Sequence, residues 1–233
     1  MKPFFIFHFS FFILLFVAAC SDEETPYDPY YDWQTRNAQW FRDISNEANA
    51  AIAEAKTEYG DAWEEHCQWR KFKTLYQPQN YNTGNATDSI CVRIAGPNTS
   101  EKALKLSPKW NDSIRVNYRG WLMPTIYKIE NTNNVSVDSL MQEVFDQSYY
   151  GDFDAATAAP SLSATSTFIE GFNTALQYMV EGDDWYVYIP QELAYGSNTS
   201  GKIPAYSTLL FRIHLAAVYP CNSGVPTWKV NKK

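Results

Sequence analysis

The segment 168–218 constrains this chain more than any other, because its hydrophobic pattern changes from a helical to an alternating period. Phe172, Leu176 and Met179 recur at steps of three and four residues, which place them on one helix face. Gly182 follows, and a glycine just past the last periodic residue is typical of a left-handed helix end. The pattern predicts a short amphipathic helix that stops at Gly182.

Two strands and an irregular loop follow this helix. The first strand runs from Trp185 to Ile189 and stops at Pro190, which has no amide hydrogen to donate to a sheet. The loop, residues 191–205, contains two glycines and a proline. The last strand alternates with a period of two, and the residues predicted to face the core are Leu209, Phe211, Ile213, Leu215 and Ala217.

Four motifs in this segment resemble, in the same order, the C-terminal half of the FKBP-type peptidyl-prolyl isomerase domain. They read FIEGF at 168–172, EG at 181–182, IPQELAYG at 189–196 and KIPAYSTLLF at 202–211. Upstream, SIRVNYRG at 113–120 and VFDQS at 144–148 resemble two strands of the same domain, so that the resemblance covers about residues 89–218. It implies an α+β fold, in which an FKBP-like curved antiparallel β-sheet wraps around one short helix. The apolar spacing upstream adds an N-terminal helical extension to this fold.

The resemblance also implies a pocket built from five separated segments. In it, Phe172 forms the floor where many relatives have tryptophan, and the smaller ring predicts a slightly deeper slot. The Ile169 amide and the Tyr195 hydroxyl are expected to bind substrate carbonyl groups, and Asp146 to hydrogen-bond Tyr118. Taken singly, such aromatic residues are usually core, and only their joint order favours a pocket. The residues that the resemblance assigns to catalysis are Tyr118, Phe145, Asp146, Phe168, Ile169, Phe172, Tyr195, Ile203 and Phe211.

A pocket of this kind needs no reactive group. Rotation about an X-Pro amide has a barrier of about 20 kcal/mol, because the resonance of the amide must be given up. The twisted amide has less charge separation than the planar one, so an apolar, water-poor cavity favours it. We therefore predict no cofactor and no metal ion. In agreement, His66 and His214 lie far apart in the sequence, and no G-x-S-x-G, P-loop or Rossmann glycine motif occurs.

The function that the resemblance implies is that of an FKBP-type peptidyl-prolyl cis-trans isomerase, which acts on proline-containing polypeptides and assists the folding of envelope or surface proteins. The alternative is a catalytically weak or inactive FKBP-like binding or chaperone module tethered to the membrane. Two departures from the family favour this alternative: no arginine or lysine occurs between Asp146 and Lys202, and the connection 121–143 is longer than the usual hairpin. A formal net charge of -7 argues against a nucleic-acid partner.

The N-terminus has the pattern of a bacterial lipoprotein signal peptide over residues 1–19. Its apolar run is too short to span a bilayer comfortably, and VAAC at 17–20 resembles a lipobox. The lipobox implies cleavage before Cys20 and lipid attachment to Cys20, followed by an acidic tether over residues 20–31. We therefore expect a lipid-anchored protein of the bacterial cell envelope, at the outer membrane and on its periplasmic or surface face. The alternative is a soluble secreted protein cleaved near Ala19.

Residues 32–80 are predicted to form a helical extension. Apolar residues recur at helical spacing between Asp32, a suitable N-cap, and Gly60, which ends the pattern. A second, shorter helix is predicted over residues 61 to about 76. The extension either docks on its own FKBP-like body or pairs with a second copy, since several relatives dimerise through N-terminal helices. The second arrangement gives a homodimer through residues 32–76.

Residues 81–233 are predicted to form the FKBP-like domain, with a surface insertion near 121–143 in the form of an extended hairpin. Three cysteines follow the signal region, Cys67, Cys91 and Cys221, and their wide spacing matches no zinc motif. We expect these cysteines to be buried and unpaired. One disulfide is the alternative that an envelope location permits.

Overall fold

The computed structural model describes residues 28–75, 86–96, 106–130 and 136–221. The predicted signal peptide, Cys20 and most of the tether lie outside these residues. The helices are α1 (Trp33–Tyr59), α2 (Trp63–His66) and α3 (Glu170–Tyr178). The strands are β1 (Trp69–Lys73), β2 (Ser89–Ile94), β3 (Ser113–Trp121), β4 (Thr125–Glu130), β5 (Ser136–Met141), β6 (Val144–Gln147), β7 (Ser161–Ala164), β8 (Asp184–Ile189) and β9 (Leu209–Tyr219).

An antiparallel sheet in the order β1-β2-β8-β9-β3-β6 forms the body of the molecule. The second edge of β3 pairs with β7 at its start and with β6 at its end. Helix α3 packs on this sheet, and Phe172, Ala175 and Leu176 share one core with buried residues of β2, β3, β8 and β9. The structure therefore confirms the predicted α+β fold, an FKBP-like antiparallel sheet around one short helix with an N-terminal helical extension.

The ends of two helices differ from the prediction. Helix α1 lies between Asp32 and Gly60 as expected, but Asp32 has φ 48° and its side chain makes no capping hydrogen bond. Helix α3 ends at Tyr178, because Met179 is already extended. Gly182 does have a positive φ of 88°, yet it lies in the turn before β8, where its amide donates to the Leu215 carbonyl at 2.7 Å. The prediction that Gly182 ends the helix was wrong.

The alternation of β9 breaks near its end. Leu215 pairs with Val116, whereas the next pair of the ladder is Ala217 with Arg115, so that Ala216 forms a β-bulge. Beyond the bulge the inward positions shift by one residue, and Val218 is buried while Ala217 is only half-buried. The predicted core position of Ala217 was therefore wrong, although the four inward residues before it are buried as expected.

The predicted second helix over residues 61 to about 76 was also wrong. It is reduced to the four residues of α2, and Trp69–Lys73 forms the edge strand β1 paired with β2. In this strand Phe72 stacks on Tyr178 with ring centroids 4.2 Å apart and on Trp185 at 5.6 Å. Pairing and aromatic packing outweigh a weak local helical pattern. The helical part of the extension thus ends at His66 rather than at about residue 76.

Helix α1 docks on its own sheet. Phe41, Ala48 and Ala55 are buried on α1 and form a second core with Trp69 of β1 and Tyr188 of β8, among others. Of the two arrangements left open by the sequence, this is the one that the structure contains. A homodimer through residues 32–76 stays a prediction.

The insertion between β3 and β6 is a hairpin, as predicted. Strands β4 and β5 pair only with each other among the described strands and form a separate two-stranded antiparallel sheet.

Within the described residues, no helix is both long enough and apolar enough to cross a membrane.

The cysteines are unpaired in the part of the chain that the structure covers. Cys67 and Cys91 are buried, as expected, whereas Cys221 is exposed, so the predicted burial of Cys221 was wrong. Burial raises the pKa of the Cys91 thiol to about 11, which keeps it protonated and unreactive at neutral pH.

We expect Phe41→Ala to lower the free energy of unfolding of the whole chain by about 3–5 kcal/mol, because Phe41 fills the core shared by α1 and the sheet. Urea denaturation followed by near-ultraviolet circular dichroism measures this change. The matched control is Asn46→Ala on the exposed side of α1, with an expected change within about 0.5 kcal/mol. Loss of helicity in Phe41→Ala without a shift in the unfolding of the sheet would contradict the docking of α1.

Candidate active site

All nine residues assigned by resemblance line one pocket of about 570 Å³. They come from β3, β6, the start of α3, the loop between β8 and β9, and β9 itself. The sequence reasoning missed four further lining residues, which are Thr167, Ser200, Gly201 and Lys202. Their positions in the sequence could have indicated them. Thr167 directly precedes the assigned Phe168, and the other three directly precede the assigned Ile203.

The floor of the pocket is the ring of Phe172, which is 1% exposed. Phe168 stacks on it with centroids 4.4 Å apart and planes 13° apart. Phe211 meets the floor edge-on at 5.0 Å and Tyr118 does so at 5.8 Å. These are preferred aromatic geometries, so the floor is fixed from three sides. Phe168 therefore covers one face of Phe172.

One wall is formed where β3, β6 and β9 meet. Phe145 of β6 packs edge-on against Phe211 of β9 with centroids 5.3 Å apart. Gly120 of β3 lies behind both rings. A Cβ atom at Gly120 would lie 2.5 Å from Cζ of Phe145 and 2.7 Å from Cε1 of Phe211, which is too close. The absence of a side chain at Gly120 therefore lets the two rings approach each other.

The polar side of the pocket is the pair Tyr118 and Asp146. The Tyr118 hydroxyl donates a hydrogen bond of 3.0 Å to Oδ2 of Asp146, as the resemblance implied. Burial, and then this hydrogen bond and the negative charge of Asp146, raise the pKa of Tyr118 to about 12. The phenol is consequently neutral throughout the physiological range. Asp146 itself is exposed, which places its carboxylate at the solvent edge of the pocket.

Ile169 is the residue immediately before the first turn of α3. Its carbonyl accepts a hydrogen bond from the Asn173 amide at 2.9 Å, whereas its own amide donates none to another described residue. Amides at a helix start lack a partner within the helix, and the helix dipole adds positive potential there. A free donor therefore adjoins the apolar floor, and Tyr195, which is 36% exposed, lies at the open side of the pocket.

Lys202 changes the expected charge of the pocket. The sequence contains no arginine or lysine between Asp146 and Lys202, which left one wall without a basic residue. In the folded chain Lys202 lines the same pocket as Asp146, so a cation is supplied by the loop between β8 and β9.

Residues 105–216 match the family model described as FKBP-type peptidyl-prolyl cis-trans isomerase. The chain contains an FKBP-type domain. The match begins before β3 and ends within β9, so it includes every segment that lines the pocket of the FKBP-type domain.

Comparison with individual proteins gives the same family. Over 112 residues the chain is 34% identical to the FKBP-type 22 kDa peptidyl-prolyl cis-trans isomerase of Escherichia coli (strain K12). This alignment covers 48% of this chain and 43% of that protein. Over 69 residues it is 41% identical to the outer membrane protein MIP of Legionella longbeachae, covering 28% and 30%. The match to the FKBP-type domain thus spans less than half the length of each of these two relatives.

A solved structure of a peptidyl-prolyl cis-trans isomerase from Pseudomonas syringae aligns with a TM-score of 0.42 at 20% identity, covering 77% of this chain and 96% of that one.

We expect Asp146→Asn to lower the pKa of Tyr118, because the carboxylate charge and hydrogen bond both raise it. Burial is the larger cause and persists, so the pKa stays above the ordinary value of 10.0. NMR titration of the ¹³C-labelled tyrosine ring measures the shift. Because the folded state keeps the phenol protonated, its contribution to stability is complete below pH 10.0 and is lost between there and about pH 12. In Asp146→Asn the folded-state pKa is lower, so the stability contribution is lost over a narrower pH range above 10.0.

Tyr188 is the internal control for this titration. Burial is the first cause of its raised pKa, and Asp146 is not among the causes. Its titration is expected to be the same in the wild type and in Asp146→Asn. An unchanged pKa of Tyr118 in the variant would contradict the Tyr118–Asp146 hydrogen bond.

Proposed function

We propose that this protein is an FKBP-type peptidyl-prolyl cis-trans isomerase that acts on proline-containing polypeptides. The observation that supports it most is the convergence of nine assigned residues on one pocket of about 570 Å³. The pocket has an aromatic floor and walls, a free backbone donor beside the floor and an opening to solvent at Tyr195 and Asp146.

The mechanism follows from the polarity of this pocket. A proline ring enters beside the wall formed by Phe145 and Phe211 and rests on Phe172, which removes water from the prolyl amide. Because the planar amide has the greater charge separation, loss of water destabilises it relative to the twisted amide. This difference lowers a barrier of about 20 kcal/mol without a covalent intermediate.

The polar groups of the pocket orient the substrate. The free amide of Ile169 donates to one substrate carbonyl, and the Tyr195 hydroxyl donates to a second. Tyr118 is held by Asp146, so its ring keeps its place beside the floor during the rotation. Each oriented bond fixes the peptide in the turn that brings the prolyl amide over Phe172.

We expect Phe145→Ala to lower kcat/KM for a proline-containing peptide by about 10- to 100-fold, because it removes one apolar wall of the pocket. Tyr195→Phe removes one hydrogen bond and lowers kcat/KM by a smaller factor, about 3- to 10-fold. A protease-coupled isomerisation assay measures both.

Tyr150→Ala is the matched control, because Tyr150 is an aromatic residue that is 84% exposed and does not line the pocket. Its kcat/KM is expected to equal that of the wild type. Turnover at background in the wild type, unaffected by Phe145→Ala, would overturn the isomerase proposal and favour the inactive binding or chaperone module.

We further propose that the chain is lipid-anchored through Cys20 in the bacterial cell envelope, at the outer membrane, where it assists the folding of envelope or surface proteins. The lipobox-like VAAC at 17–20 supports the anchor. One relative with local similarity is named as an outer membrane protein, which is compatible with this location.

Labelling with radioactive palmitate tests the anchor. We expect the label to enter the wild-type protein and to be absent from Cys20→Ala. The matched control is Cys221→Ala, which removes an exposed cysteine of the folded part and should keep the label. Equal labelling of Cys20→Ala and the wild type would exclude Cys20 as the attachment site.

A further inference from the structure

The loop between β8 and β9 supplies five residues of the pocket lining, from Tyr195 to Ile203. Its internal hydrogen bonds close the tip of the loop: Ser200 and Ile203 exchange two backbone bonds at 3.0 and 2.9 Å. Further down, the Tyr206 amide donates to the Gly196 carbonyl at 2.7 Å. Because these hydrogen bonds join the loop to itself, its polar attachments to the rest of the described chain lie at its base.

The base of this loop is bound by the first turns of α1. Nε1 of Trp33 donates to Oγ of Ser207 at 2.9 Å, and that hydroxyl donates to the Pro204 carbonyl at 2.7 Å. The Thr208 amide donates to Oδ1 of Asn37 at 2.9 Å, and the Thr208 hydroxyl donates to the Asn37 carbonyl at 3.3 Å. Nδ2 of Asn37 in turn donates to the Trp33 carbonyl at 2.8 Å. The network therefore links the helix to both residues at the base.

The bonded groups are buried, which makes the network specific. Trp33, Asn37, Ser207 and Thr208 are all buried. A buried polar group that loses its partner is costly, so these four residues favour one arrangement over looser ones. The hydrogen bonds thus define the position of the loop base more strongly than apolar packing alone.

Tyr206 shows that the loop base is held against a local preference. Its φ is 62°, in the left-handed region that non-glycine residues rarely adopt. Such a conformation persists where neighbouring contacts determine it. The next two residues are those bound by Trp33 and Asn37, so α1 supplies the contacts that maintain this backbone.

The turn just before α1 is also bonded to a second segment beside the pocket. The Tyr30 hydroxyl donates to Oε2 of Glu143 at 2.8 Å, and the Glu143 carbonyl accepts the Leu122 amide at 2.9 Å. Glu143 directly precedes β6, the strand with Phe145 and Asp146. The first turns of α1 and the turn before it are therefore bonded to two separate segments that shape the pocket.

We propose that Trp33 and Asn37 are positioning residues of the isomerase pocket, which hold the loop between β8 and β9 over the floor. This inference rests on the proposed function. It makes the start of α1 a part of the isomerase unit, although the helix lies outside the segment that matches the family.

Hydrogen–deuterium exchange of the full chain tests the positioning directly and does not depend on activity. We expect Asn37→Ala to accelerate exchange of the amides in residues 191–206 by about tenfold or more, because the loop base loses its anchor. Ala55→Gly is the matched control: it weakens the same helix at a buried position that has no hydrogen bond to the loop. Exchange of 191–206 is expected to stay at the wild-type rate in this control.

Catalysis gives the second readout. In the isomerisation assay, Asn37→Ala is expected to lower kcat/KM by about 10- to 100-fold, the range that a displaced binding group produces, and Ala55→Gly by less than about twofold. Trp33→Phe and Ser207→Ala each remove one partner of the same hydrogen bond, and Ser207→Ala also removes the bond to the Pro204 carbonyl. The double variant is therefore expected to lose no more activity than Ser207→Ala alone, a coupling that general destabilisation does not produce.

The outcomes separate the two proposals. A wild type without isomerase activity, combined with faster loop exchange in Asn37→Ala alone, overturns the proposed function and supports the positioning of the loop. An active wild type, with Asn37→Ala equal to Ala55→Gly in both exchange and rate, overturns the positioning. Where Asn37→Ala fails to fold, the cycle of Trp33→Phe and Ser207→Ala decides, because additive losses overturn the inference.

Discussion

The ring of Phe172 belongs to the hydrophobic core and to the pocket at the same time, and the rest of the structure depends on this double burial. It can reach the sheet because α3 comes very close to β8. A Cβ atom at Gly171 would collide with Ile189, so the missing side chain sets the distance between helix and strand. The height of the pocket floor thus depends on a contact behind it, between the Gly171 backbone and the Ile189 side chain.

Local sequence patterns were sufficient to predict an element where its apolar residues recur with a helical or strand period. The helical repeat through Phe172 and Leu176 and the apolar run of β8 needed no knowledge of their neighbours. The strand β1 and the bulge at Ala216 were not predictable in this way, because both are defined by pairing with a distant strand. A short stretch such as Trp69–Lys73 takes its conformation from the edge of β2, to which it adds.

The candidate site also contains features that the sequence predicts and features that only the fold determines. Its nine assigned residues followed from the order of motifs along the chain, whereas the stacking of Phe168 on Phe172 and the access given by Gly120 depend on distances between strands. Asn37 left a trace in the sequence, since it is a polar residue on the apolar stripe between Trp33 and Phe41. A buried amide in such a stripe needs a partner, but only the fold shows that the partner is Thr208.

The attachment of Tyr30 beside β6 has a consequence for the distance between pocket and membrane. Ten peptide steps separate Cys20 from Tyr30. A fully extended chain spans at most about 3.6 Å per residue, so the proposed lipid on Cys20 would keep Tyr30 within about 36 Å of the bilayer surface. Because Tyr30 bonds to Glu143, this limit on the distance would apply to the pocket side of the domain and not to the far end of α1. Under the proposed anchor, a polypeptide that emerges at that surface would meet the pocket within the first few nanometres of its path.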